Sequence, residues 1–196
     1  MTRLYAYSQN LRVVVAGTSL LLLTVFSAWS ESVAGQIIDS ASEQSIKAAY
    51  LYKFASYVDW PDGILKDPST PPTIAVIGAD ALADELAVMT GGRTVDGRSI
   101  SVRRLQAEEA LDGVHILFVG ARRTGVLAEL TPVAQAKSTL VVTESGDALE
   151  FGSVINFRPV DQRVRFEVSL DSADKSGLRL SSRLLAVAER VTPRAE

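Results

Sequence analysis

One histidine and no cysteine narrow the chemistry open to this 196-residue chain. Thiolate nucleophiles, thiolate metal sites and disulfides are excluded outright. His115 stands in Val114-His115-Ile116-Leu117-Phe118-Val119, whose continuous apolar character predicts a buried strand. A histidine in that setting is expected to be packed and hydrogen-bonded, not to act as base or ligand. With the one imidazole committed to the core, Ser/His/Asp catalysis loses its centre. Glu108-Glu109 and the pair Asp171 and Asp174 could in principle move protons or hold Ca²⁺. Helix-start charge and solvated surface account for them more simply. No catalytic residue, metal ligand or cofactor site is assigned.

Recognition has better candidates. Arg158, Arg163 and Arg165 lie on neighbouring extended segments, with Arg163 and Arg165 on one face by the two-residue period. They suit a small anion or a carboxylate, although a plain solvated face explains them too. Tyr50, Tyr52, Tyr57 and Trp60 form an aromatic set of the kind enriched in binding hot spots. Most belong on a core stripe; Tyr52 and Trp60 fall off it and are the contact candidates. Gly78 and Gly120 each follow a strand, but neither belongs to a G-x-G-x-x-G or phosphate-loop pattern, so no nucleotide is implied.

The elements that must position these residues can be read along the chain. Ser40-Ala41-Ser42-Glu43 has capping-box spacing and predicts a helix start. Ile46, Ala49, Tyr50, Lys53, Phe54, Tyr57 and Val58 follow at three-and-four spacing until Trp60-Pro61 ends the helix. A polar connector, 62–72, leads into a short buried strand, 73–77. Asp80 is then expected to cap a helix broken by Gly91-Gly92. Asp96-Gly97 turns a small hairpin. Strand 114–119, a helix through Leu127 and Leu130, and strand 139–143 read as buried parallel strands with crossovers.

Strands 154–158 and 163–168, four residues apart, predict an antiparallel hairpin. A helical turn over 171–176 and a last helix capped by Ser181, bearing Leu184, Leu185, Ala188 and Val191, complete the chain. The expected fold is α/β: a mixed, mostly parallel sheet with helices on both faces and an antiparallel hairpin near the C-terminus.

Residues 1–34 read as a secretory signal peptide, with 35–196 as one α/β domain. Arg3 and Arg12 form a positive front, 13–29 is apolar, and the small residues Ser32 and Ala34 follow. A cut after Ser30 fits as well, and an uncleaved anchor remains an alternative, since the apolar run could just span a bilayer. Cleavage after Ala34 leaves 18 basic and 22 acidic side chains, a net of −4, and no membrane span. So acidic a balance gives no reason to expect nucleic acid as a partner.

Residues 46–61, from Ile46 to Trp60-Pro61, closely resemble the first helix of the YfiR-like family of bacterial periplasmic proteins. The likeness continues through 114–120, 139–144 and 152–157 and ends with Gly177-Leu178-Arg179-Leu180-Ser181-Ser182-Arg183-Leu184-Leu185. The resemblance implies a helix-flanked sheet, often dimeric, and a periplasmic regulator that binds and represses an inner-membrane diguanylate cyclase. That activity would lower cyclic di-GMP and affect biofilm formation and motility. The redox response known in the family rests on disulfides and cannot operate in a chain without cysteine. The residues leave a second reading open: a periplasmic binding module for a small anionic or aromatic ligand.

Overall fold

A computed structural model describes residues 30–65, 67 and 69–194. The signal segment expected over 1–34 lies outside the described residues as far as 29. Residues 43–196 form one compact unit. Among the described residues, the sheets and the buried core belong to this unit.

Helix α1 runs Ser30–Tyr57. Ser40 therefore stands inside the helix, which begins upstream of the start expected there. Ser-x-x-Glu spacing matters only where backbone donors are orphaned, and no proline before Ser40 stops the helix from continuing upstream. The other end also differs from expectation. The helix stops at Tyr57, because Val58–Asp59 (β1) pairs antiparallel with Arg179–Leu180 (β10). The Ser181 N–H donates to the Tyr57 carbonyl at 2.9 Å and closes the junction.

The remaining elements are β2 (Thr73–Ile77), α2 (Asp80–Thr90), β3 (Thr94–Val95), β4 (Arg98–Ser99), β5 (Ser101–Arg104) and β6 (Ile116–Val119). A 3₁₀ turn, Ala121–Val126, leads into α3 (Leu127–Ala136), then β7 (Leu140–Thr143), β8 (Ile155–Val160) and β9 (Arg163–Ser169). The chain ends with α4 (Leu170–Lys175), β10, α5 (Ser182–Ala186) and β11 (Arg190–Thr192). Asp80 opens α2 as its first residue and makes no side-chain cap, contrary to expectation. Ser181 does cap α5, accepting from the Leu184 N–H at 3.3 Å. Val191, assigned to that helix from its spacing, instead lies in β11, which pairs parallel with β9.

The principal sheet has seven strands in the order β11-β9-β8-β7-β6-β2-β5. All neighbours are parallel except β8 and β9, which form the expected antiparallel hairpin. Its turn residues, Asp161 and Gln162, both have positive φ, which suits the twist of a two-residue hairpin. Alternation along β2 divides the core. Ile74 and Val76 face α1, α2, α4 and α5, while Ala75 and Ile77 face α3. On the first face, Phe54, Phe157, Phe166 and the half-buried Tyr50 interlock with ring centroids 5.2–6.5 Å apart. Two core layers over a sheet buried on both faces explain why β2, β6 and β7 read as unbroken apolar runs.

Candidate functional site

The β1–β10 pair directs the chain after α1 across a cleft of about 750 Å³. Its walls include Val58, Asp59, Trp60, Val95, Arg98 and Arg179. Apolar surface and opposite charges meet there, a mixture typical of ligand clefts. The Trp60 indole N–H is buried and has no acceptor among the described residues. Most buried donors in folded proteins are satisfied, so this N–H is an exception, and being buried it is not open to the cleft. Tyr52, the other aromatic candidate, does not line the cleft. It donates to the Thr94 carbonyl at 2.9 Å and ties the β3–β4 hairpin, which forms one wall, back to α1.

His115 supports the cleft from below. Its ring meets Trp60 edge-on, centroids 6.2 Å apart, and its Nδ1 accepts the Thr73 N–H at 3.1 Å. Burial holds its pKa below the ordinary value; Arg98 pushes the same way, and a bond with the Ile64 backbone opposes both. A neutral imidazole that accepts a backbone N–H is a structural member, as its place in the strand predicts.

The arginine candidates lie elsewhere. On β8 and β9, Arg158 stands directly across from Arg165, and Arg163 is two residues before it. These side chains share a face with Asn156 and Glu167, opposite the one that carries Phe157 and Phe166. Reading the sequence missed three members of this cluster, Asn156, Glu167 and Arg190. Glu167 is buried and accepts from Asn156 Nδ2 at 3.0 Å and from Arg190 Nε at 3.0 Å. Arg158 approaches the same carboxylate at 3.6 Å. Burial works to raise the Glu167 pKa, but the Asn156 amide and the two guanidiniums outweigh it and hold the group below its ordinary value. Cleft and arginine cluster are distinct, so the structure does not gather the five candidate residues into one site.

At the carboxyl ends of β2, β6 and β7 a third cluster forms. Buried Lys47 pairs with Glu43 and Glu144, and Glu144 also accepts the Ala121 N–H at 3.1 Å. Gly78 and Gly120 meet here: a Cβ on Gly120 would stand 2.6 Å from the Gly78 carbonyl oxygen. The glycines permit close packing of two turns. Among the described residues no group of three or more His, Asp or Glu could hold a metal ion, and no helix is long and apolar enough to cross a membrane.

The YfiR/HmsC-like family model matches residues 44–189, from the middle of α1 to the residue before β11. The chain belongs to the YfiR/HmsC-like family. Both the cleft and the β8–β9 face lie within the matched span. Comparison with curated protein sequences finds no match. Among solved structures, a conserved domain protein from Vibrio cholerae O1 biovar El Tor is similar at 11% identity, covering 61% of this chain and 54% of that one, with a TM-score of 0.49. The ABC domain from Streptococcus pneumonia, in complex with L-Trp, is similar at 10% identity, covering 62% and 55%, with a TM-score of 0.47. The YfiR/HmsC-like chain thus spans about half the length of these solved chains.

Proposed function

We propose that the protein acts in the periplasm, where it binds an inner-membrane diguanylate cyclase and holds it inactive, so lowering cyclic di-GMP. The observation that carries this reading is the family match over residues 44–189. The charge and hydropathy order of residues 1–34 supports export ahead of a domain beginning at about Gly35. The single histidine supports binding over chemistry, being spent on a backbone N–H in the core.

Cyclic di-GMP measured in a deletion strain, with and without an exported copy, tests the proposal. A rise on deletion that the exported copy reverses is expected. Unchanged levels, with the exported copy shown to be present and folded, would overturn it.

The cleft, walled by Trp60 and Val95 with the cationic Arg98 and Arg179, favours a second reading, a small-ligand module with its site there. A ligand carrying an anionic group for Arg179 beside an apolar body would fit. At a hundred times its dissociation constant such a ligand stabilises the fold by about 2.7 kcal/mol. A thermal-shift screen of small carboxylates and aromatics should then give a hit that Arg179→Glu abolishes; a hit that survives the substitution would put the ligand elsewhere.

A further inference from the structure

We infer that the arginine-bearing, turn-proximal end of the β8–β9 hairpin face is a docking surface for a carboxylate-bearing segment of a partner protein, with Arg158, Arg163 and Arg165 as its contacts. The inference rests on the reading that this protein works by gripping a partner, and it names where the grip lies.

The face is built by alternation. Phe157, Phe166 and Val168 point into the core beneath α1, so Arg158, Arg163, Arg165 and Glu167 point the other way. On that side α3 packs over β2, β6 and β7 and its cluster includes no residue of β8, β9 or β11. The antiparallel end of the sheet therefore carries guanidiniums where the parallel end carries a helix.

Its charge is costly to the free protein. Like charges directly opposite on an antiparallel pair destabilise it, and Arg158 faces Arg165. Neither finds full compensation: Arg158 lies 3.6 Å from Glu167, and Arg165 lies 3.9 Å from Glu189. Arg163 has no ion pair among the described residues. None of the three donates a hydrogen bond among the described residues, so their planar forks remain free for carboxylate oxygens. Glu167, with Arg190 and Asn156 on it, anchors Arg158 from beneath and sets the spacing.

Charge complementarity selects the occupant. The arginines with Arg190 outnumber Glu167 and Glu189 on this face, although the chain as a whole carries −3. An anionic membrane would be repelled by the rest of the molecule, whereas a discrete acidic segment sees only the basic face. Arginine without lysine is also the composition of protein interfaces.

Val160 shares this face and stands opposite Arg163, so a photo-cross-linking residue placed there leaves every arginine intact. The full exported chain carrying it should cross-link in living cells to a protein whose joined peptide is rich in Asp and Glu. In R163E/R165E the product should fall at least about tenfold. The melting temperature should hold, because charge reversal relieves the Arg158–Arg165 repulsion.

Three results would overturn the inference: a yield no greater than from the same group at exposed Val88 on α2, a product indifferent to R163E/R165E, or a joined peptide without carboxylates. Sedimentation with phosphatidylglycerol vesicles that R163E/R165E abolishes, with no protein product, would assign the face to lipid instead. An acidic partner that is no cyclase would sink the proposed function and leave the surface standing. Full repression of cyclic di-GMP by R163E/R165E would do the reverse.

Discussion

Asn156 donates from its amide nitrogen to the Glu167 carboxylate at 3.0 Å, and both side chains are buried near the open end of the antiparallel hairpin. The amide orientation follows from its neighbours: Oδ1 accepts from the Ser145 N–H at 3.0 Å, a group that can only donate, so Nδ2 must face Glu167. Thr143 joins the same oxygen at 2.8 Å, carrying the polar chain across to β7. An arrangement this fully satisfied stiffens the strands that bear the arginines.

Glu167→Gln puts a donor where Asn156 and Arg190 already donate. It should cost about 1–3 kcal/mol in urea unfolding at pH 7. Because the folded-state pKa of Glu167 is depressed, its contribution is present above the ordinary carboxylate range and is lost as pH falls through the folded value. The gap between wild type and Glu167→Gln should therefore close on acidification. A gap that stays constant from pH 6 to pH 3.5 would show that Glu167 takes up protons equally in the folded and unfolded chain, so that its pKa is not depressed.

Gly120 separates packing from conformational freedom. Its backbone is not in the left-handed region, so alanine is sterically permitted there except for the Gly78 carbonyl oxygen at 2.6 Å from the new methyl group. Backbone cannot swing aside as a side chain can. Gly120→Ala should destabilise by about 1–3 kcal/mol. Gly125, with open space around it and an ordinary φ, should accept alanine with a neutral or slightly stabilising effect. Equal melting temperatures for the two variants would refute the close contact.

Lys47 is buried, yet its pKa is raised: burial works to lower it, and hydrogen bonds with Glu144 and Glu43 overcome that. A raised ammonium pKa contributes stability below the ordinary lysine value and loses it only as pH climbs through the folded one. Lys47→Met should thus cost a similar amount, about 1–3 kcal/mol, at every pH from 6 to 9. A cost that vanished at pH 9 would mean that Lys47 is already neutral there.

The same residues show what the sequence can and cannot reveal. Strands 116–119 and 140–143 were legible because both their faces are buried, which leaves an unbroken apolar run. The hairpin was legible because two short runs flanked a turn. β11 was not. Arg190 is held by Glu167, 23 positions away, and no local pattern distinguishes Val191 in that bridge from Val191 on a helix. The two-residue β1–β10 pair escaped for the same reason.

Glu167 did leave a signal. Counting outward from the Asp161-Gln162 turn sets it opposite Asn156, a polar residue inside Val154-Ile155-Asn156-Phe157, and two facing polar residues in apolar strands point to a buried pair. The cleft left almost none, since Trp60, Arg98 and Arg179 come together only through folding.

His115 links the fold's stability to pH. Its Nδ1 accepts the Thr73 N–H, so protonation would turn a hydrogen bond into two donors facing each other. The depressed folded-state pKa means that the neutral ring's contribution is intact above the ordinary histidine value and is lost as pH falls through the folded one. One proton can supply at most about 1.4 kcal/mol per pH unit. In His115→Gln, which does not titrate, the wild-type advantage at pH 7.5 should shrink toward pH 5. Asp, Glu and lysine titrations are common to both proteins and cancel in the difference. Trp60 fluorescence should report the same step in wild type alone, because its ring lies edge-on to the imidazole at the wall of the cleft. A difference that stayed flat from pH 7.5 to 5 would mean that His115 keeps its proton count unchanged on folding.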